Sequence, residues 1–441
     1  MAAEVLARAS EPFFTTKPPF SPSASGRPDA RLQERSASLP LLHASHRIPQ
    51  PRPHGIGALT VAALAPLPPL STIGIIGGGQ LGRMSAMAAA RLGYRCHAFT
   101  DEPDSPAAQV CAAHTLGDYE DPAALRRFAA SVDVITFEFE NVSAEGLDLL
   151  ASLRAVRPSP AVLRISQDRV VEKGFLNGAG VGTAPWLAVS SPAELRHATA
   201  RLGFPSLLKT TRLGYDGKGQ ALLRSAADLD TAWETLEPKP LILEGFVNFV
   251  CEVSAIVARG ADGQGSVFDL AENRHRDGIL DLSLAPARIG PAATRAAWDL
   301  AWSVAEALDL VGLLAVEMFV TADGRVLANE IAPRPHNSGH WTLDACPASQ
   351  FELHVRAVAG LPLPPATRHS DAAMKNLVGP EDIALWPEIL ATPGLIPHLY
   401  GKVEARPGRK MGHVTTLFPL DTLPDDEGIR RALACAAPVQ T

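Results

Sequence analysis

LKTTRLGYDGKGQ, residues 208–220, brings a lysine to the end of an apolar strand and then opens a glycine-rich turn. Gly214, Gly217 and Gly219 let backbone N–H groups approach an anion with no side chain in the way, while Lys209 and Lys218 set positive charge on either side. The pattern suits a phosphate. It is also the composition of a solvated basic hairpin, so this stretch by itself leaves both readings open.

A second stretch separates them. Residues 313–321, LLAVEMFVT, and 325–333, RVLANEIAP, read as two strands joined at Asp323-Gly324. A two-residue Asp-Gly turn pairs Ala322 with Arg325 and sets Glu317 directly opposite Glu330. Val316, Met318, Val320, Leu327 and Ile331 then form the opposite, core-facing side. Like charges facing one another across strands destabilise a sheet unless a cation lies between them. Hard carboxylate oxygens select Mg2+, with Mn2+ as the alternative, and either ion also takes phosphate oxygens. Two solvated glutamates are the competing reading, which fits poorly with strands otherwise so apolar. The lysine-glycine loop and the carboxylate pair together make a site for Mg-ATP.

Upstream, residues 72–76 form an apolar strand that runs into Gly77-Gly78-Gly79-Gln80-Leu81-Gly82 and then an Ala- and Met-rich helix. This fits G-x-G-x-x-G, and the next strand ends at Asp101-Glu102 about where a dinucleotide fold places its ribose carboxylate. The match is weak evidence for NAD, because the turn suits any anion at a helix N-terminus and the glycines also permit tight packing. A strand over 133–142, DVITFEFENV, would set Glu138 and Glu140 on one face near its C-terminal end, after which the doubly wound pattern stops. A helix follows, capped by Ser166 or Asp168 and ended by Gly178 and Gly180, then a short strand TAPW over 183–186. Ser191-Pro192-Ala193-Glu194 starts a further helix that stops at Gly203, and Leu229, Trp233 and Leu236 share one face of another. Glu244 closes the strand 241–247 beside Gly245, leaving the backbone of Phe246 and Val247 open to a planar ligand such as adenine.

With 441 residues, 46% hydrophobic and 20% charged, two or three soluble domains are expected, and no apolar run is long enough to span a bilayer. The net charge of −7 argues against a general nucleic-acid binder, so an anionic substrate must meet a local basic cluster. Such a cluster occurs at 401–413, GKVEARPGRKMGH, around Lys402, Arg406, Arg409 and Lys410, though a solvated hairpin has the same composition. The five cysteines have no C-x-x-C spacing and read as small buried or incidental residues of a reducing compartment. His336 and His340 are four apart, but Pro333 and Pro335 oppose a helix there, and a polar substrate-binding turn is the better reading. Trp186, Trp233, Trp302 and Trp386 read as core. Residues 1–70 are rich in Pro, Ser, Ala and Arg and are expected to be a disordered leader. It is either dispensable on a cytoplasmic protein or an organelle (for example plastid) transit peptide, the latter weakened by four acidic residues.

The order Lys173, Lys209, glycine loop, Glu244, Glu317 and Asn329-Glu330 resembles the ATP-grasp superfamily. Within it GGGQLGRM, FEFENV, GYDGKGQ, HRDGIL, APRPHNSGHWT, SQFELH and RPGRKMGH, spread over residues 72–420, closely resemble the N5-carboxyaminoimidazole ribonucleotide synthetases. The resemblance implies an α/β (α+β) chain with a Rossmann-like pre-ATP-grasp domain at 71–165, a two-lobed ATP-grasp domain at 166–365 with a lid lobe at 182–240, and a β-rich C-terminal domain at 366–441. It implies carboxylation of 5-aminoimidazole ribonucleotide by bicarbonate and ATP through carboxyphosphate, with a homodimer and hand-over of product to the N5-carboxy ribonucleotide mutase. Carried over by position, ATP contacts fall on Arg169, Lys209, Gly214, Tyr215, Asp216, Gly217, Lys218, Gly219, Gln220, Glu244, Gly245, Phe246, Val247, Glu252, His275, Asn329 and Glu330. Metal ligands are Glu317 and Glu330. Ribonucleotide contacts fall on Gln80, Glu138, Tyr215, Asp216, His336, Asn337, Ser338, Lys402 and Arg409, and Asp216, Lys209 and Lys218 are the catalytic candidates. Other carboxylate-phosphate ligases, and a nucleotide-binding regulator without turnover, are the alternatives; the intact Lys209, Glu317 and Glu330 disfavour the regulator.

Overall fold

The computed structural model describes residues 65–214, 219–236 and 240–436, all belonging to one compact unit. Most of the leader, and Tyr215, Asp216, Gly217 and Lys218 of the glycine loop, therefore lie outside the described residues.

Strand β1 (Thr72–Ile76) enters α1 (Gln80–Arg91) through the three glycines, and β2 (Arg95–Thr100), β3 (Ala113–Leu116), α2 (Pro122–Ala130) and β4 (Val134–Phe137) complete a parallel sheet in the order β3-β2-β1-β4. The central strands are continuous apolar runs because both faces are covered, and every residue of β4 is buried. The strand expected over 133–142 stops at Phe137. Beyond it Glu138 turns its carboxylate into the glycine turn, and Gln167 Nε2 donates to the carbonyls of Glu140 and Val142, so this backbone is held by side chains and not by a ladder.

Helices α3 (Ala144–Ala151), α4 (Pro160–Ser166) and α5 (Arg169–Gly178) lead onward. Asp168 is the cap of α5, accepting from the Val170 and Val171 amides at 3.0 and 3.2 Å, while Ser166 ends α4. An antiparallel sheet follows, from β5 (Trp186–Val189), β6 (Ser206–Thr210), β7 (Gln220–Leu223) and β8 (Leu241–Gly245) in the order β5-β8-β6-β7, with α6 (Pro192–Leu202) and α7 (Leu229–Leu236) packed on it. Its first strand starts at Trp186, later than expected. Pro185 has no amide for a ladder, and Thr183 instead bridges to Ala328 in the third sheet. Ser191 caps α6, Gly203 ends it with φ at 80°, and Leu229, Trp233 and Leu236 are buried as read.

The third sheet takes β9 (Phe249–Arg259), β10 (Gly265–Val267), β11 (Ala271–Arg276), β12 (Ile279–Ala285), β13 (Gly312–Thr321), β14 (Val326–Ala332), β15 (Asp371–Val378), β16 (Leu395–Leu399) and β17 (Lys410–Phe418). Their order is β14-β13-β9-β11-β12-β15-β17-β16, with β10 beside β9, so the late strands extend the central sheet. Helix α8 (Pro291–Ala307) covers one face through Ala297, Trp298, Ala301 and Val304. Trp341, just before α9 (Thr342–Ala345), and Leu353 of α10 (Gln350–Ala359) fill the other. Short helices α11 (Gly379–Ala384) and α12 (Trp386–Ala391), with α13 (Asp426–Ala432), close the far end. Trp186 is not core: it is half-buried with its indole N–H donating to Asn177.

Glu317 does pair with Glu330, by a different route from the one expected. The turn holds three residues, Ala322 to Gly324, closed by the Thr321 amide on the Arg325 carbonyl, and Gly324 takes φ at 80°. That shifts the register by one residue, so Phe319 meets Leu327 and Met318 meets Ala328. A bulge then absorbs Asn329 and restores the Glu317–Glu330 pair. Leu327 consequently leaves the core-facing side, where Ala328 takes its place beside Val316, Met318, Val320 and Ile331.

Candidate active site

The bulge gives the site its first anchor. Extruding Asn329 frees its carbonyl from the ladder, and the buried Lys173 ammonium donates to it at 2.8 Å. Lys173 projects from α5 and also lies 3.6 Å from Glu244 of β8, whose other oxygen accepts from Lys209 of β6 at 2.9 Å. One carboxylate thus joins two lysines from different elements. Burial pushes the Glu244 carboxyl up, but the two lysines outweigh burial and hold it below its ordinary range. Burial, partly offset by Glu244, holds Lys173 below the usual lysine range. Lys173 is enclosed, whereas the Lys209 side chain keeps 13% of its surface exposed and is the cation of the two that is open to a phosphate.

The glycine loop begins beside this pair. Gln220 pairs with Lys209 across β6 and β7, and Gly219 suits its place on two counts: φ is 71°, and a Cβ there would meet Thr210 Oγ1 at 2.8 Å. Arg169, the first residue of α5, donates to the carbonyls of Thr210 and Gly214 at 3.1 and 2.9 Å, so it holds the root of the loop. Arg212 donates to Gln167 at 3.0 Å. On the neighbouring strand of the same sheet, Gly245 ends β8, Phe246 is half exposed, and Val247 follows it. Glu252 of β9 meets His275 Nδ1 of β11 at 2.6 Å; burial opposes a proton on His275, and Glu252 outweighs burial and raises its pKa.

Glu317 lies next to this dyad and 3.2 Å from His336 Nε2. Burial and the facing Glu330 push its carboxyl up to about 8. Burial, with Arg334 and Lys410 nearby, holds His336 well below the usual histidine range, so its imidazole is neutral. A Glu317 carboxyl held up by burial and by the carboxylate facing it is what a hard divalent cation relieves, so Glu317 and Glu330 fit Mg2+.

The other end of the cleft is built on the first glycine turn. Glu138 accepts from the amides of Gly79 and Gly82, the latter at 3.0 Å, at the start of α1 where Gln80 sits. A side chain at Gly77 or Gly79 would collide with this carboxylate. The turn therefore already holds an anion belonging to the chain, which rules out a dinucleotide pyrophosphate in the usual place. Burial raises the Glu138 pKa, with the two amides, Arg334 and Lys402 acting against it. Arg334, which sequence reading left unassigned, is bound by Glu140 at 3.0 Å and lies just before the 336–338 turn. It was visible only as an arginine between two prolines; its importance comes from its place between the two ends of the cleft. Glu140 also feels Glu330 and Arg169, so both ends share one electrostatic field.

Of the turn, His336 alone faces the carboxylates. Asn337 is closed in a two-way amide pair with Asn376, at 2.9 and 2.7 Å, and Ser338 is buried against Ser254 at 2.7 Å. Lys402 donates to the Lys410 carbonyl with its ammonium 5.7 Å from the Tyr400 ring centre, and Arg409 donates to the Glu404 carbonyl at 3.0 Å.

Three family models match in chain order: a ribonucleotide synthetase preATP-grasp domain over residues 70–167, an ATP-grasp domain over 174–351, and a phosphoribosylaminoimidazole carboxylase C-terminal domain over 372–421. The N5-carboxyaminoimidazole ribonucleotide synthase of Brucella melitensis biotype 1 is 53% identical over 80% of this chain and 98% of its own length. The chain belongs to the N5-carboxyaminoimidazole ribonucleotide synthase family. The synthase of Bacillus subtilis is 44% identical over 82% of this chain and 94% of its own. The Aspergillus clavatus N5-carboxyaminoimidazole synthase, crystallised with ADP and 5-aminoimidazole ribonucleotide, superposes with a TM-score of 0.77 at 33% identity over 83% of this chain and 98% of that one. The solved synthase thus shares the fold of this protein.

Proposed function

We infer that this chain catalyses the ATP-dependent carboxylation of 5-aminoimidazole ribonucleotide to its N5-carboxy derivative in purine biosynthesis, using bicarbonate and releasing ADP and phosphate. The observation that carries the inference is the unbroken run of charged side chains from the Lys173–Glu244–Lys209 cluster and the Glu317–Glu330 pair, through Glu140 and Arg334, to Glu138 and Lys402. In this reading residues 71–165 meet the ribonucleotide, 166–365 hold ATP, and 366–441 complete the substrate end.

Bicarbonate is a poor electrophile. One of its oxygens attacks the γ-phosphorus of ATP, ADP leaves, and carboxyphosphate forms; the exocyclic amine then bonds to the activated carbon and phosphate departs. Glu317 and Glu330 would hold Mg2+ or Mn2+, which supplies positive charge to phosphate oxygens. Lys209, oriented by Glu244, stabilises charge spreading over the transferring phosphoryl group. Arg334 and His336, between the two ends, suit the bicarbonate oxygens, and Arg409 with Lys402 suits the ribonucleotide phosphate. Asp216 and Lys218, on the glycine loop, are proposed to shield the intermediate, with Asp216 taking the amine proton as the bond to carbon forms. A cytoplasmic homodimer that hands its labile product to the mutase completes the proposal. Among the described residues no helix is long and apolar enough to cross a membrane.

The reading is tested with 13C-bicarbonate: label must appear in the carboxylated ribonucleotide only when ATP is present. Asp216→Asn should lower turnover and change its pH profile. Normal turnover with the wild-type profile would remove the base role while leaving the carboxylation intact.

A further inference from the structure

A second set of metal-binding side chains gathers where α9 meets the β16–β17 hairpin. His398 on β16 stands directly across from His413 on β17, and their rings stack with centroids 4.5 Å apart and planes 11° from parallel. Asp344 on α9 reaches His398 Nε2 with its two oxygens at 3.0 and 3.1 Å. One ligand atom from each of Asp344, His398 and His413 lies within 4.8 Å of the others. We propose that these three side chains form a binding site for a divalent transition-metal ion such as Zn2+, distinct from the carboxylate pair and stapling α9 to the hairpin.

His413 supplies the main argument. It is fully buried, its Nδ1 is 2.9 Å from the Tyr400 hydroxyl, and its Nε2 has no hydrogen-bond partner. With Nδ1–H donating to the Tyr400 oxygen, the lone pair of Nε2 is left for a ligand, which is how an outer partner fixes the tautomer of a metal-binding histidine. A buried ring nitrogen with no partner carries an uncompensated desolvation cost that an ion would remove. The same interior holds a second such atom: His340 Nε2 is also buried and unpartnered, on a ring 5.0 Å from that of His413 and bound through Nδ1 to Gln350.

The donor set decides the ion. Two imidazoles and a carboxylate favour zinc, cobalt or nickel, whereas Mg2+ prefers oxygen, so the ion at this site would differ from that on Glu317 and Glu330. Two donors on one tetrahedral ion stand about 3.3 Å apart. The Asp344–His398 pair is already near that spacing, so an ion would take the place of their shared proton. Parallel rings cannot both aim at one ion, so binding requires the His398 ring to turn about its Cβ–Cγ bond. His398 is 28% exposed, which supplies both the room and the route in. The consequence reaches the cleft: α9 follows the 336–340 turn, and the β16–β17 connection carries Lys402 and Arg409, so an ion here fixes one against the other.

The test uses the full chain, free of any polyhistidine tag and stripped with chelator, titrated with Co2+. The expected result is one equivalent bound with the intense visible absorption of a tetrahedral ion, displaced by one equivalent of Zn2+ and untouched by excess Mg2+. Zn2+ should raise the Tm, and both effects should vanish in His398→Ala and in Asp344→Asn, whose folding is checked by circular dichroism. His398→Gln, which keeps the side-chain bulk, should lose binding in the same way. A weak octahedral spectrum, or binding of equal stoichiometry and affinity in these variants, means adventitious surface binding and overturns the proposal.

Discussion

Proton release on cation binding reports directly on the Glu317–Glu330 pair. Glu317 has its carboxyl pushed up to about 8 by burial and by Glu330, and its side chain is 20% exposed. With that value, Glu317 carries about 0.9 proton at pH 7 and about 0.1 at pH 9 in the absence of a cation. A divalent ion must displace the proton. Binding of preformed Mg-ADP should therefore release about 0.9 proton per chain at pH 7 and about 0.1 at pH 9. Calorimetry in buffers of different ionisation enthalpy measures this count, and Glu317→Gln, which holds no titrating proton, is the control. The same shift acts on folding. The folded value lies above the ordinary 4.5, so the cation-free fold keeps a proton the unfolded chain has already lost. Its contribution to stability is complete below about pH 4.5 and falls as pH rises toward 8, by roughly 1.4 kcal/mol per unit in that window. Equal proton release at pH 7 and pH 9, or the same release from Glu317→Gln, would refute the reasoning.

Lys173→Met takes a buried cation from Glu244 and the Asn329 carbonyl; urea unfolding should show a loss of about 3 kcal/mol, with the KM for ATP raised. Trp341→Ala empties the centre of the core beneath the 336–340 turn and should cost about 3–5 kcal/mol in the same assay, with lost turnover following lost fold. Arg409→Ala should raise the ribonucleotide KM about tenfold or more while leaving that for ATP nearly unchanged, as loss of one charge-assisted phosphate contact requires; equal effects on both would count against a phosphate role.

What could be read from the chain was what local rules determine. Asp168, Ser191 and Gly203 act as caps where capping chemistry puts them, and the glycine runs mark the two strand-to-helix or strand-to-strand turns that shape the cleft. The facing of Glu317 and Glu330 was legible too, but through two compensating departures: a turn one residue longer than Asp-Gly favours, and a bulge at Asn329 that no local signal announces. The bulge also makes the carbonyl that receives Lys173, so its cause is tertiary. Glu138 and Glu140 were misplaced on a strand because alternation of acidic and aromatic residues looks the same whether the carboxylates line a ladder or leave it to bind a glycine turn and Arg334. Asn337 and Ser338 read as open polar groups; only the fold brings Asn376 and Ser254 to close them. Arg334 needed both neighbours, Glu140 from the segment after β4 and His336 two residues on, before its place in the site could be seen.

The most direct measurement of the central claim is phosphate release from Mg-ATP with bicarbonate, in the presence and absence of 5-aminoimidazole ribonucleotide. The account predicts fast release only with the ribonucleotide, one phosphate for each carboxylated product. Release at the same rate without it, or none under any condition, would contradict carboxylation as the activity of this cleft.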